Sequence, residues 1–112
     1  MLFRSFFNAD LVRRRTGLSV TGLTPEQAER LRLRGGLVVT GVDRNSPAAA
    51  AELEPGMIVV SLNGDAVTSI VDAAKDLHGR KRGEQATLGV VVTEQRGFFA
   101  RRYLAEAAVK LR

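Results

Sequence analysis

The chain has 112 residues, 45% of them apolar and 26% charged, with no cysteine, a single histidine and a formal net charge of +5. That length fits one domain large enough to bury its own core. The lack of cysteine excludes a disulfide framework and a thiolate zinc site. No apolar run approaches the roughly 20 residues of a membrane-spanning helix, so no membrane partner is expected. The opening residues 1–10 hold a lone Arg4 and the cluster Phe3, Phe6 and Phe7. They lack the basic end, continuous apolar stretch and small-residue cleavage site of a signal peptide. The isoelectric point near 10.7 raises a nucleic-acid reading. Against it, the arginines fall in dispersed short groups beside turns, and there is no Trp and one Tyr for base stacking. A solvated basic surface that attracts anions weakly accounts for them, and no nucleic-acid partner is expected.

In chain order, residues 1–10 read as a short lead-in, helical or the tail of a preceding domain, and residues 11–15 as an extended run up to Thr16-Gly17. Leu18, Val20 and Leu23 alternate with polar positions as a half-buried strand. Thr24, Pro25 and Gln27 are the N-cap, first-turn proline and closing member of a capping box. The helix they open has Ala28, Leu31 and Leu33 on one face and Gly35-Gly36 as its stop. Residues 37–42 are β-rich and apolar, consistent with a strand buried on both faces. Ser46-Pro47 opens a short alanine helix over residues 48–51, and Glu54-Pro55-Gly56 is a turn. A strand over 57–62 closes at Asn63-Gly64, a strong hairpin signal, and Ala66-Val67 is a strand stub.

From Ser69, Ile70, Ala73, Ala74 and Leu77 recur at helical spacing up to Gly79. A strand over 86–93, a turn over 94–97 and a returning strand over 98–104 follow. Residues 105–112 either continue that strand or form a terminal helix. The pattern predicts an α+β domain, a small, partly open β-barrel or sandwich of five or six strands capped by two or three short helices. Strands and helices do not alternate regularly enough for a parallel α/β sheet.

No catalytic constellation emerges. His78 sits at a helix end before Gly79, where it partners the helix dipole or solvent. No serine has the context of a triad, scattered carboxylates and one histidine make no metal cage, and Gly35-Gly36 precedes a strand and not a helix. No catalysis, cofactor or metal is expected.

Taken in order, Gly17-Leu18-Ser19-Val20, the run 23–28, the run 36–42 with Ser46-Pro47-Ala48-Ala49, Pro55-Gly56 and Asn63-Gly64 resemble a PDZ domain of the bacterial Do/HtrA serine protease family. The resemblance covers about residues 17–92. It divides the chain into a lead-in or linker over 1–14, a PDZ domain over 15–104 and a C-terminal extension over 105–112. Three positions depart from the family: Glu52 replaces a usual Gly, Met57 a usual Asp, and Thr16 a usual large apolar residue. Glu52 leads us to expect a backbone there that takes a side chain without positive φ.

The resemblance implies capture of C-terminal peptides or unfolded segments by strand addition. It assigns the terminal carboxylate to the amides of Thr16, Gly17 and Leu18, with Arg15 pairing it directly and Arg13 and Arg14 adding positive potential. Leu18, Ser19 and Val20 supply the strand edge and one wall, and Ile70 and Ala74, four apart on a helix, the other. By residue pattern alone, Leu18 and Val20 are better read as core positions, Gly17 as an ordinary turn, and Ile70 and Ala74 as inward-packing. The modest lining favours a small or medium apolar last residue, and the basic surroundings favour acidic residues upstream. The resemblance further implies a substrate-recognition or regulatory role in a protease whose catalytic domain lies outside this chain, in the periplasm or another extracytoplasmic space. The parent protease would supply any homo-oligomerisation. An assembly module without peptide capture, using residues 98–112, is the alternative.

Overall fold

Asn8 opens the first element of the computed structural model, which describes residues 7–112. Its side-chain oxygen accepts the Leu11 N–H at 3.1 Å and starts helix α1, Ala9–Thr16. Gly17, at φ 88°, stops it and donates its N–H to the Arg13 carbonyl at 2.7 Å. The expected extended run over 11–15 is therefore helical. Two caps and an inward face of Leu11, Val12 and Thr16 outweigh the strand preference of a short run. Strand β1 (Leu18–Gly22) follows directly. Helix α2 (Pro25–Leu31) begins with the expected reciprocal capping box: Gln27 N–H donates to Thr24 Oγ1 at 3.1 Å, and Thr24 N–H to Gln27 Oε1 at 3.0 Å. It ends earlier than Gly35-Gly36. Arg32 takes the left-handed conformation at φ 58°, and the Leu33 N–H reaches the Ala28 carbonyl at 2.8 Å.

Strand β2 (Leu37–Val42) buries Leu37 and Val39 but exposes Thr40, so one face is covered and not two. Helix α3 (Pro47–Ala50) is capped by Ser46, whose Oγ accepts the Ala49 N–H at 3.1 Å. At Glu52 the expectation fails: φ is 63°, so the chain keeps the left-handed backbone that glycine ordinarily serves and carries a side chain there. Gly56, at φ 96°, makes the predicted turn into β3 (Ile58–Leu62), and Asn63-Gly64, at φ 53° and 88°, reverses it into β4 (Asp65–Ala66).

Helix α4 (Ile70–His78) starts at Ser69, whose Oγ accepts the Asp72 N–H at 3.2 Å. It turns Ala73, Ala74 and Leu77 inward. Strands β5 (Gln85–Arg96) and β6 (Phe99–Lys110) form one long hairpin that turns at Gly97-Phe98, three residues later than the expected start at Glu94. The open question over 105–112 resolves as strand through Lys110.

All six strands belong to one open antiparallel sheet in the order β1-β2-β3-β5-β6, with β4 on β3. With four short helices against it, this is the expected α+β architecture. Both segments that the sequence set apart contribute to its core: Leu11 and Val12 from 1–14, and Val109 and Leu111 from 105–112. Arg80 ties the end of α4 to β5 through Asp76 at 3.1 Å and Glu84 at 2.8 Å. No helix among the described residues is long and apolar enough to cross a membrane.

Candidate peptide-binding groove

Strand β1 is one end of the sheet, with β2 on one side and no further strand among the described residues on the other. A bulge between Ser19 and Val20 shifts its register on β2, a device that bends an edge strand. Helix α4 packs beside β1, and α1 packs against both. The structure thus brings together the predicted walls, Leu18, Ser19 and Val20 on one element and Ile70 and Ala74 on the other. Their side chains are not equally available. Leu18 and Ala74 are 1% and 0% exposed and Val20 is buried, whereas Ser19 and Ile70 are half-buried. Beneath them lies an interior void of about 20 Å³ lined by core residues, among them Val12, Thr16, Leu18, Leu37, Val59 and Leu77, room for little more than a water.

The amides assigned to a carboxylate are engaged within the chain. Thr16 lies inside α1. Gly17 N–H goes to Arg13, and Leu18 N–H donates to Thr16 Oγ1 at 3.1 Å while that hydroxyl donates to the Val12 carbonyl at 2.7 Å. Thr16, where the resemblance leads one to expect a large apolar residue, therefore plugs its own loop. Gly17 also has a close neighbour: a Cβ there would collide with Ser46 Cβ and Oγ.

The three arginines before the loop are likewise occupied. Arg13 pairs with Asp43 at 3.1 Å and Arg14 with Asp10 at 3.1 Å. Arg15 donates to three carbonyls: Leu77 at 2.6 Å, Arg80 at 2.7 Å and Arg112 at 3.0 Å. It thereby clamps the end of α4 and the chain's last residue to α1, and the direct pairing expected of it is not made in this state. Arg112 answers from the other side, donating to the Arg14 carbonyl at 3.0 Å and the Arg13 carbonyl at 3.2 Å. The Arg112 guanidinium also meets Asp43 at 3.2 Å. Cations on the free carbonyls of a helix C-terminus satisfy its orphan acceptors and its dipole together. The Arg13 hydrogen bond, followed by the charges of Arg13 and Arg112, holds the Asp43 carboxyl below its ordinary value.

Sequence reasoning missed α1 as the third side of the groove. The signal was present in Asn8 and Gly17 as caps and in Val12 and Thr16 four apart. Phe7 extends this side, its ring meeting His78 edge-on at 5.7 Å, with Lys75 over its face at 5.8 Å.

The PDZ domain family matches residues 15–94. The chain belongs to that family, on the branch found in Do/HtrA-type serine proteases. A probable periplasmic serine endoprotease, DegP-like, of Pseudomonas putida (strain W619) is 42% identical over 66 residues, covering 56% of this chain and 14% of that protein. The DegP-like protein of Chlamydia trachomatis (serovar D) is 34% identical over 77 residues, covering 66% of this chain and 15% of the relative. This chain spans about a seventh of such relatives. It is the PDZ module, a binding domain, and not their catalytic unit. Among solved structures, the HtrA-type protease AlgW with a decapeptide superposes with a TM-score of 0.62 at 29% identity, over 88% of this chain and 30% of that one. The HtrA3 PDZ domain bound to a phage-derived ligand (FGRWV) has a TM-score of 0.64 at 19% identity, over 88% and 85% of the two chains. It attests the fold.

Proposed function

We propose that this domain captures C-terminal or unfolded polypeptide segments by strand addition to β1, as the substrate-recognition or regulatory part of a Do/HtrA-like serine protease. The observation that carries the reading is an unpaired, bulged edge strand lying beside α4, in a fold whose relatives have been solved with peptides bound. Backbone pairing along Leu18, Ser19 and Val20 supplies affinity, and Ile70, Ala74 and Leu18 line the site for a small or medium apolar last residue. An extracytoplasmic location goes with this reading, since the relatives are named periplasmic.

Carboxylate capture in this chain requires the last turn of α1 to yield. Rotation of Thr16 frees the Leu18 amide, and fraying of the cap frees that of Gly17. Rotating Thr16 gives up two hydrogen bonds, with the Leu18 N–H and the Val12 carbonyl, and fraying the cap gives up one. Each is worth about 1 kcal/mol net, and the charge-assisted bonds to a carboxylate, each stronger than a neutral one, offset them.

The test is titration of a labelled C-terminal peptide library, as free acids and as amides, against the wild type and Ile70→Lys. Ile70 is half-buried, so a lysine there leaves the fold intact while placing a charge in the groove. Saturable binding that needs the free carboxylate and weakens about tenfold in Ile70→Lys, the loss of one apolar contact, supports the reading. Equal binding of acid and amide removes the carboxylate role, and wild-type affinity in Ile70→Lys removes the groove.

A further inference from the structure

Among the described residues the second free end of the sheet, β6, is independent of the groove. It runs for twelve residues, Phe99–Lys110, paired throughout with β5, about twice the usual strand length. Between Ala100 and Lys110 it has no proline and no register break, and the charges it carries, Arg101, Arg102, Glu106 and Lys110, are of both signs. Its apolar side chains are also uncovered: Phe99 is 78% exposed and Leu104 68%. Leu104 pairs with the half-buried Val91, and Leu31 and Leu33 border the same patch.

The geometry points to a second copy of this chain as the occupant, in an antiparallel β6–β6 pair with its two-fold axis at Leu104. The hairpin fixes which backbone groups are free. Its two-residue turn closes on the hydrogen-bonded pair Arg96–Phe99, and such pairs recur at every second position. The Leu111 N–H to the Glu84 carbonyl, at 2.9 Å, has the same phase. The amides and carbonyls of Ala100, Arg102, Leu104, Glu106 and Ala108 therefore face the open side, and all five residues are exposed.

Charge then chooses the register. Arg102, Leu104 and Glu106 alternate onto one face. Centring the pair on Leu104 sets each Arg102 opposite the partner's Glu106, Leu104 against Leu104, and Ala100 against the partner's Ala108. Centring it on Arg102 or on Glu106 sets like charges opposite each other, which is unfavourable. Centring it on Ala108 pairs Glu106 with the partner's Lys110 but leaves Arg102 unpaired and puts Leu104 opposite Arg112, whose N–H is already bonded to the Arg15 carbonyl. The intermediate registers leave both charges unpaired. The Leu104 register makes both ion pairs at once and covers Leu104, as an isologous two-fold contact requires.

Sedimentation equilibrium of the full chain tests this with Arg102→Glu, Glu106→Arg and the double swap. A concentration-dependent dimer is expected. Each single swap turns two facing pairs from attractive to repulsive and weakens the dimer about tenfold or more, and the double swap restores wild-type association. A second variant reads the axis directly. In this cysteine-free chain, Leu104→Cys places two Cα atoms about 5.5 Å apart, within disulfide reach. It cross-links under mild oxidation, whereas Arg101→Cys does not. A wild type that stays monomeric up to millimolar concentration overturns the proposal, as does a dimer indifferent to the single swaps or not restored by the double. Peptide binding is unchanged in these variants, so the dimer and the groove succeed or fail separately.

Discussion

Replacing Gly17 by Ala tests the joint between α1 and β1 more sharply than any other single change. The backbone there sits at φ 88°, a conformation that costs an L-residue about 1–2 kcal/mol. The added methyl would also collide with the Ser46 Cβ and Oγ. Ser46 cannot withdraw without loss. Its hydroxyl donates to the Asp43 carbonyl at 2.7 Å and accepts the Ala49 N–H at 3.1 Å as the N-cap of α3, and a cap is worth about 1 kcal/mol. Together the strain and the displaced cap predict a loss of about 2–3 kcal/mol. In urea unfolding with a slope of about 1.5 kcal/mol/M, the midpoint falls by about 1.3–2 M at unchanged slope. On a Ser46→Gly background the collision disappears, and Gly17→Ala costs only the backbone strain. The double-mutant cycle isolates that coupling. A Gly17→Ala midpoint within about 0.3 M of wild type, or a cycle with no coupling, would refute the reasoning. The same crowding means that a bulky substitution at Gly17 reports on folding before it reports on peptide binding.

Two further outcomes follow from other positions. Glu52 also sits in the left-handed region, at φ 63°, with its side chain exposed. Glu52→Gly should therefore raise stability by about 0.5–1 kcal/mol and Tm by a few degrees, and an unchanged or lower Tm in calorimetry would contradict the strain. Asp43 and Glu84 are held below their ordinary values of 3.8 and 4.5, chiefly by hydrogen bonds from Arg13 and Arg80 respectively. A depressed folded-state value means the unfolded chain binds the proton more readily. The stabilisation is then complete above the ordinary values and is lost as the pH falls through the lowered ones. Urea midpoints measured from pH 6 down to pH 2 should decline below about pH 4.5 and flatten for Asp43→Asn combined with Glu84→Gln.

Local signals alone were enough for the features set by neighbours in sequence. The capping box at Thr24 and Gln27, the N-caps at Ser46 and Ser69, the turn at Gly56 and the hairpin at Asn63-Gly64 rest on backbone angles and on side chains within about four residues. The order of such signals also carried the family. What depended on distant partners was not legible. The helix over 9–16 is decided by where Leu11, Val12 and Thr16 find a core, buried against β1 and α4. The extent of β5 and β6 is decided by each strand pairing with the other, so residues 105–110 were ambiguous until the register was set.

The arginines show the division most clearly. Arg13, Arg14 and Arg15 read as one block of positive potential beside a loop. The fold sends them to three destinations: Asp43, Asp10, and the carbonyls at the ends of α4 and the chain. Spacing gave an α+β domain with a basic run before the turn at Gly17, and the resemblance carried by the ordered motifs made it PDZ-type. Only the tertiary structure decided that the loop's donors are satisfied internally. A hydrogen bond joins groups that meet in space, and Arg15 meets its acceptors 62, 65 and 97 residues away.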